Sequence, residues 1–378
     1  MLQSWIDDGE LAGLVARVQV NGAPVYERAF GWADREADRR MTLDTIFRIA
    51  SQTKAITAAA ALVLIEAGLL GLDDPVSRHL PDFTPTSVAG IQSGSPARVP
   101  VRRPITVRDL LAHTAGLSYG TEPQVASEYA AAGLGPAAGP GWYLADKDEP
   151  VCQTISRLGR LPLVAQPGER FVYGYSTDVL GCLIEAVSGR PLDAFVRERI
   201  TGPLGMTDTT FFLDAARASR LAAVHVAGAD GQVRRAGGSP VGQGAYVNGP
   251  RRNFSGGAGL LSTAADYARF AEMLRRGGEL DGVRILSAES VRLMTTNQVG
   301  SMHTHIGLGF GFGVQTTDRA GAHGPDRVGA YGWGGAYGTY FRVDPEAGVV
   351  ILLLTQTLAD HLARIETFST MAYRTFVR

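Results

Sequence analysis

An α/β chain whose two ends together build one antiparallel sheet, interrupted by a mostly helical insertion, is predicted by three observations. A hairpin signal opens the chain, with Asn21-Gly22 between two strand-like runs. Near the other end Val349–Thr355 (VVILLLT) is apolar without a break, the pattern of a strand covered on both faces. Between them lie segments of helical periodicity separated by stretches rich in Pro, Gly and Ala. The expected division is 1–75 and 251–378 for the two parts of the α/β domain and 76–250 for the insertion.

The elements follow in order. Residues 14–20 and 23–30 are the first two strands, and residues 51–67 (SQTKAITAAAALVLIEA), stopped by Gly68, form an Ala-rich helix apolar nearly all round and so buried. Prolines at 81, 85, 96, 100 and 104 make residues 81–104 read as an irregular connection. Residues 106–113, 178–188 and 192–200 read as helices, and 131–141, almost all Ala, Gly and Pro, as a loop or lid. Residues 311–315, 338–343 and 349–355 read as strands, and a helix over 359–376 closes the chain.

Composition excludes several classes. With 36 Lys+Arg against 37 Asp+Glu the net charge is -1, which gives no electrostatic case for nucleic acid or an anionic membrane. The Gly-rich runs 307–313 and 332–338 lack a dinucleotide-binding spacing before a helix, so no cofactor is expected. His303 and His305 have no third ligand beside them, and no metal is expected either. Two cysteines, Cys152 and Cys182, make no disulfide framework and are expected as packed thiols. The N-terminus shows no secretory pattern, and the longest apolar helical run, 55–65, is too short to span a bilayer, so a soluble cytoplasmic protein is expected.

Lysine usage points to the chemistry. Of the 36 basic residues only Lys54 and Lys147 are lysines, which leaves 34 arginines. Lys147, in the charged stretch ADKDE, reads as a solvated surface residue. Lys54 stands in the first turn of the apolar helix, where the helix dipole disfavours a cation, three residues after Ser51. Ser51 fits an N-cap, and a lysine there can simply snorkel to solvent. The scarcity of lysine favours the chemical reading. Residues three apart share a helix face, so the amine can lie beside the hydroxyl and take its proton. Arginine cannot serve, because it never gives up its proton.

Such a base needs a second proton-handling group and an oxyanion site. Tyr173 and Tyr175, in FVYGYSTDVLG, are candidates for the first. Trp333-Gly334-Gly335-Ala336 enters a strand, and its glycines allow the close backbone approach that an N–H donor to an oxyanion requires. Ser51-Gln52-Thr53-Lys54, Tyr173 and Trp333-Gly334-Gly335 resemble the three motifs of the serine β-lactamase/penicillin-binding-protein superfamily, most closely its family VIII carboxylesterase branch. Further stretches along the chain share the resemblance: DLLAHTAGL (109–117), PGERFVYG (167–174), STDVLG (176–181) and GTYFRVDP (338–345) among them. The resemblance implies a β-lactamase-like fold, with Ser51 as acylated nucleophile, Lys54 as base and Tyr173 as proton relay. It implies an oxyanion hole from the N–H groups of Ser51 and Ala336.

Two departures bear on substrate. Trp333 stands where the lactamase third motif begins with Lys, and Tyr175 where its second motif has Asn. Both remove polar handles for anionic, peptide-like substrates and add aromatic surface, so the expected substrate is a small neutral ester. Counting back from DVLG favours Tyr173 over Tyr175 as relay. Tyr119, Tyr129, Trp142 and Tyr143 can line an acyl or alcohol pocket or simply pack as core under the lid. Gly116-Leu117-Ser118-Tyr119-Gly120 matches G-x-S-x-G, but a helix rather than a strand precedes it, which argues against Ser118 as nucleophile. His113 reads as a packed, hydrogen-bonded histidine. The alternatives are a β-lactamase or D-stereospecific peptidase, an acyltransferase using the same residues, and a non-catalytic binding module.

Overall fold

The computed structural model describes residues 1–377 apart from 85–86, 93–94, 139–145, 238–242, 304–307, 322–324, 326 and 359–360. Its centre is an eight-stranded antiparallel sheet in the spatial order Leu308–Phe310, Gln315–Thr317, Tyr331–Gly335, Thr339–Asp344, Val349–Thr355, Gly13–Val20, Ala23–Asp34 and Arg39–Arg40. The first hairpin turns at Asn21 and Gly22, both at positive φ (52° and 85°), as a two-residue turn matched to strand twist requires. Val349–Thr355 is interior, paired on one side with Thr339–Asp344 and on the other with Gly13–Val20. First and last parts of the chain are thus hydrogen-bonded neighbours.

The apolar run of that strand is divided among three cores, Leu354 packing with Val15, Phe47 and Ala264 in the smallest of them. Val349, Ile351 and Leu353 pack with Ile365, Phe368 and Ala372 of the C-terminal helix Leu362–Phe376 and with Leu2, Trp5 and Ile6 of the short helix Leu2–Asp7. Val350 and Leu352 face the largest core, shared with helices Thr53–Glu66 and Ala264–Arg275. Residues 53–64 of the former are all buried, as an apolar helix sandwiched between other elements must be.

Three expectations are corrected here. Residues 81–104 are not irregular throughout: Ser87–Gln92 pairs with Ser95–Pro100 in a two-stranded hairpin, bridged on the Ser87–Gln92 side to Leu163, in which Pro96 and Pro100 are tolerated because the outer edge needs no backbone donor. Residues 311–314 are the turn between strands Leu308–Phe310 and Gln315–Thr317 rather than a strand, with Gly313 at positive φ (77°). Cys152 and Cys182 are not separate thiols but a disulfide, which joins helix Val151–Leu158 to helix Ser176–Ser188. Within the central segment, residues 221–236 run back to the sheet side. Ile46 bridges to Leu221, and His225–Ala227 pairs with Thr357–Leu358. No described helix is long and apolar enough to cross a membrane.

Candidate active site

The helix Thr53–Glu66 is entered through a single 3-10 turn, Ala50–Gln52, and neither is capped by a side chain. Ser51 is therefore not the N-cap that the sequence suggests; it sits inside the tight turn, half-buried, with its hydroxyl available to Lys54. Ala50, just before it, is held at φ +44°, a conformation that non-glycine residues adopt rarely and at a cost. Surrounding bonds hold the turn in place. The Ile49 N–H donates to Leu260 O, the Leu260 N–H to the Thr53 hydroxyl, and the Tyr267 hydroxyl to Gln52 O.

Lys54 is fully buried, and its Nζ has three neighbours. It lies 3.3 Å from Ser51 Oγ, and it donates to the Tyr119 hydroxyl oxygen at 3.1 Å and to the carbonyl of Gly257 at 2.7 Å. It also stands 4.8 Å from the centre of the Tyr173 ring. The Tyr173 hydroxyl accepts from the Trp333 indole N–H at 3.4 Å, and the two rings are 5.6 Å apart. The lysine thus meets two tyrosines in different ways, Tyr119 through the hydroxyl and Tyr173 through the ring face. Burial pushes the Tyr119 hydroxyl well above its ordinary pKa, and negative charge on Tyr173, Asp178 or Tyr175 would push it further, so it stays protonated.

The third motif reaches the same place from the sheet. Tyr331–Gly335 pairs with Thr339–Asp344, and the turn between them carries Ala336, exposed to solvent. A Cβ at Gly335 would lie 2.4 Å from Ile49 O and 2.3 Å from Thr339 Oγ1, so only glycine lets this turn close on the backbone leading to Ser51. The Thr339 hydroxyl donates to Ile49 O across the same contact. Gly334 meets only the carbonyl of Thr339, 3.7 Å from a built Cβ. Trp333 is half-buried, edge-on to Phe310.

Other residues fall differently. Tyr175, expected against substrate, is instead buried at 1% exposure, and its hydroxyl accepts the Gly135 N–H at 2.9 Å. Standing immediately before helix Ser176–Ser188, it turns its ring against Tyr119 (4.9 Å) and becomes part of the wall behind it. Trp142 and Tyr143 lie outside the described residues, as do Thr304 and His305. Ser118 is buried, accepts the Gly120 N–H, and follows the short helix Val107–Leu111. His113 is packed, though not hydrogen-bonded as expected. Neither ring nitrogen has a partner among the described residues, and the ring lies 4.9 Å from Tyr173 and 5.4 Å from Phe310. Burial, with the Lys54 charge added, keeps this imidazole far below its ordinary pKa and neutral. No cluster of three metal-ligating side chains occurs among the described residues.

Sequence reasoning passed over Gly257, whose carbonyl holds Lys54, and Asp178, which holds Gly257 in turn. The one available signal was the Gly pair in FSGGAG (254–259), a run in which backbone is left bare to be approached.

A serine and a buried lysine one turn apart, walled by tyrosines and faced by a glycine turn on an antiparallel sheet, define a serine hydrolase of β-lactamase-like fold. The chain belongs to the Beta-lactamase family, whose model matches residues 2–371. It is 38% identical over 368 residues to Protein Rv1367c of Mycobacterium tuberculosis, covering 94% of this chain and 88% of that protein. To Esterase EstB of Burkholderia gladioli it is 37% identical over 367 residues, covering 93% and 88%. Among solved structures it resembles EstCE1, described as a hydrolase with promiscuous acyltransferase activity, with a TM-score of 0.79 and 32% identity over 98% of this chain and 96% of that one.

Proposed function

We propose that the chain is a carboxylesterase that hydrolyses small neutral esters, of short to medium acyl chain, through an acyl-enzyme on Ser51. The observation that carries this reading is the 3.3 Å approach of Lys54 Nζ to Ser51 Oγ in a fully buried lysine. In the acylation step Ser51 Oγ bonds to the ester carbonyl carbon as its proton passes to Lys54. The oxyanion takes the N–H groups of Ser51 and Ala336, and the C–O bond to the alcohol then breaks. Lys54 gives the Ser51 proton up by way of Tyr173, which hands one to the leaving alcohol and is replenished from the ammonium, while Tyr119 keeps Lys54 aimed. Water then repeats the sequence, releasing the acid and restoring Ser51. Trp333, in place of a cation, favours uncharged acyl groups over the carboxylate of a lactam or peptide.

Short-chain p-nitrophenyl esters tested against a chromogenic cephalosporin check the proposal, together with fluorophosphonate labelling mapped by mass in wild type, Ser51→Ala and Ser118→Ala. Ester turnover dominates, and label is lost only with Ser51→Ala. Dominant lactam turnover, or label on Ser118, overturns the reading. Acyl transfer to alcohols is a second reading, favoured by the likeness to EstCE1. It is recognised by ester products when an alcohol acceptor is added. As to location, the Cys152–Cys182 bond argues for an oxidising compartment rather than the cytoplasm expected above.

A further inference from the structure

The loop that carries Gly257 is gripped from two helices. From the nucleophile helix, the Thr57 hydroxyl donates to Gly256 O at 2.7 Å and Lys54 Nζ to Gly257 O at 2.7 Å. From helix Ser176–Ser188, Asp178 Oδ1 accepts the Ser255 hydroxyl at 2.6 Å and the Gly257 N–H at 3.0 Å. The fit is tight, since a Cβ at Gly257 would lie 2.4 Å from Asp178 Oδ2. Lys54 and Asp178 therefore hold the two backbone polar atoms of one glycine, and both side chains are buried, at 0% and 2% exposure.

A buried amine that accepts a proton becomes a buried cation, which is costly unless a negative charge stands near. We propose that Asp178 is the positioning residue and counter-charge of the Lys54 base. Its carboxylate fixes Gly257 so that the carbonyl meets Nζ, and its charge supports the ammonium that forms when Lys54 takes the Ser51 proton. The inference rests on the Ser51/Lys54 reading above. Burial raises the Asp178 carboxyl, against the opposing pull of the Ser255 hydroxyl, the Lys54 charge and the Gly257 N–H. The other titratable groups facing the pair are Tyr119, Tyr173, Tyr175 and His113. Burial raises the Tyr119 and Tyr175 hydroxyls and keeps them neutral, and it keeps the histidine neutral by lowering it.

The test reads the base directly and needs no substrate. The rate of Ser51 phosphonylation by a fluorophosphonate is followed against pH by intact mass, in wild type and Asp178→Asn. In this step the Oγ–P bond forms, fluoride leaves, and the Ser51 proton goes to Lys54. Asparagine keeps the acceptor for Ser255 and Gly257 and removes the charge. The acidic limb of the profile moves about one unit to lower pH, because an amine without its counter-charge loses its proton more easily, and the plateau falls about tenfold. A limb that stays in place overturns the proposal, since a purely structural role lowers the rate without moving it. If Asp178→Asn does not fold, the coupling is read from the other side, because linkage is reciprocal. In Lys54→Met the Asp178 carboxyl, followed by 13C NMR, titrates at higher pH than in wild type; an unchanged titration overturns the proposal. Failure of esterase activity with a shifted limb would count against the substrate reading alone.

Discussion

As the proposed base, Lys54 has a task that the other cationic side chain cannot perform. Lys54→Arg keeps the charge and roughly the length, but guanidinium does not release its proton and cannot accept one from Ser51. The expected outcome is a fall of about 1,000-fold or more in kcat/KM on p-nitrophenyl acetate with the fold retained by circular dichroism. A rate within tenfold of wild type would contradict the assignment of the base. At this scale the sequence was partly legible. The Ser51–Lys54 pairing follows from helical spacing alone, and the rarity of lysine singled it out. What Nζ touches beyond Ser51 was not legible, because Tyr119 and Gly257 arrive from 65 and 203 residues away and only the packed chain brings them together. Tyr175 illustrates the same limit. Two residues from Tyr173 in sequence, it points into the wall rather than the site, since its hydroxyl is claimed by the Gly135 N–H.

Among the elements, the short helix Val107–Leu111 places one side of the tyrosine wall, because the chain leaves it for His113 and Tyr119. It is anchored by Asp109, at 3% exposure, which completes a capping box with Thr106 and accepts from Thr114 at 2.9 Å. Arg103 adds a two-pronged bond to the same carboxylate, at 2.6 and 2.9 Å. Burial raises the Asp109 carboxyl, yet Arg103 and the Thr106 donors outweigh it and hold the group below the usual carboxylate range. A carboxyl lowered by folding stabilises the protein above its unfolded pKa of about 3.9, and that contribution is lost as pH falls through the folded value. Asp109→Ala should therefore cost about 2–3 kcal/mol at pH 7 by urea unfolding, and the difference from wild type should shrink below about pH 4. A difference independent of pH would show that packing, not the ion pair, sets the cost. Turn chemistry made the Asn21-Gly22 hairpin legible; the hairpin Ser87–Gln92/Ser95–Pro100 was hidden because its prolines sit where a strand can spare donors. The Cys152–Cys182 bond was hidden for a third reason, since it depends on how two helices pack.

For the molecule as a whole, the sheet is the base on which the site stands, and its centre is the most buried part. Leu352, fully buried and shared with the nucleophile helix in one core, is expected to lose about 2–5 kcal/mol on replacement by alanine, read as a lower denaturation midpoint with an unchanged m-value. Labelling of the still-folded fraction by fluorophosphonate should be retained, because the substitution weakens the platform without touching the reacting groups. That the two chain ends meet in one sheet was legible from strand-like runs at both ends; the spatial order of the strands was not, because pairing partners carry no local mark.

The neighbouring positions of Gly13–Val20 and Val349–Thr355 also fix the order of events during synthesis. The first strand leaves the ribosome with its apolar face and half its backbone donors uncovered, and its partner follows only about 330 residues later. Nor can the turn bearing Ala336 close on Ile49 until then. Every nascent chain short of that strand is thus both inactive and sticky, and it has to be shielded, or kept dilute, until that strand emerges.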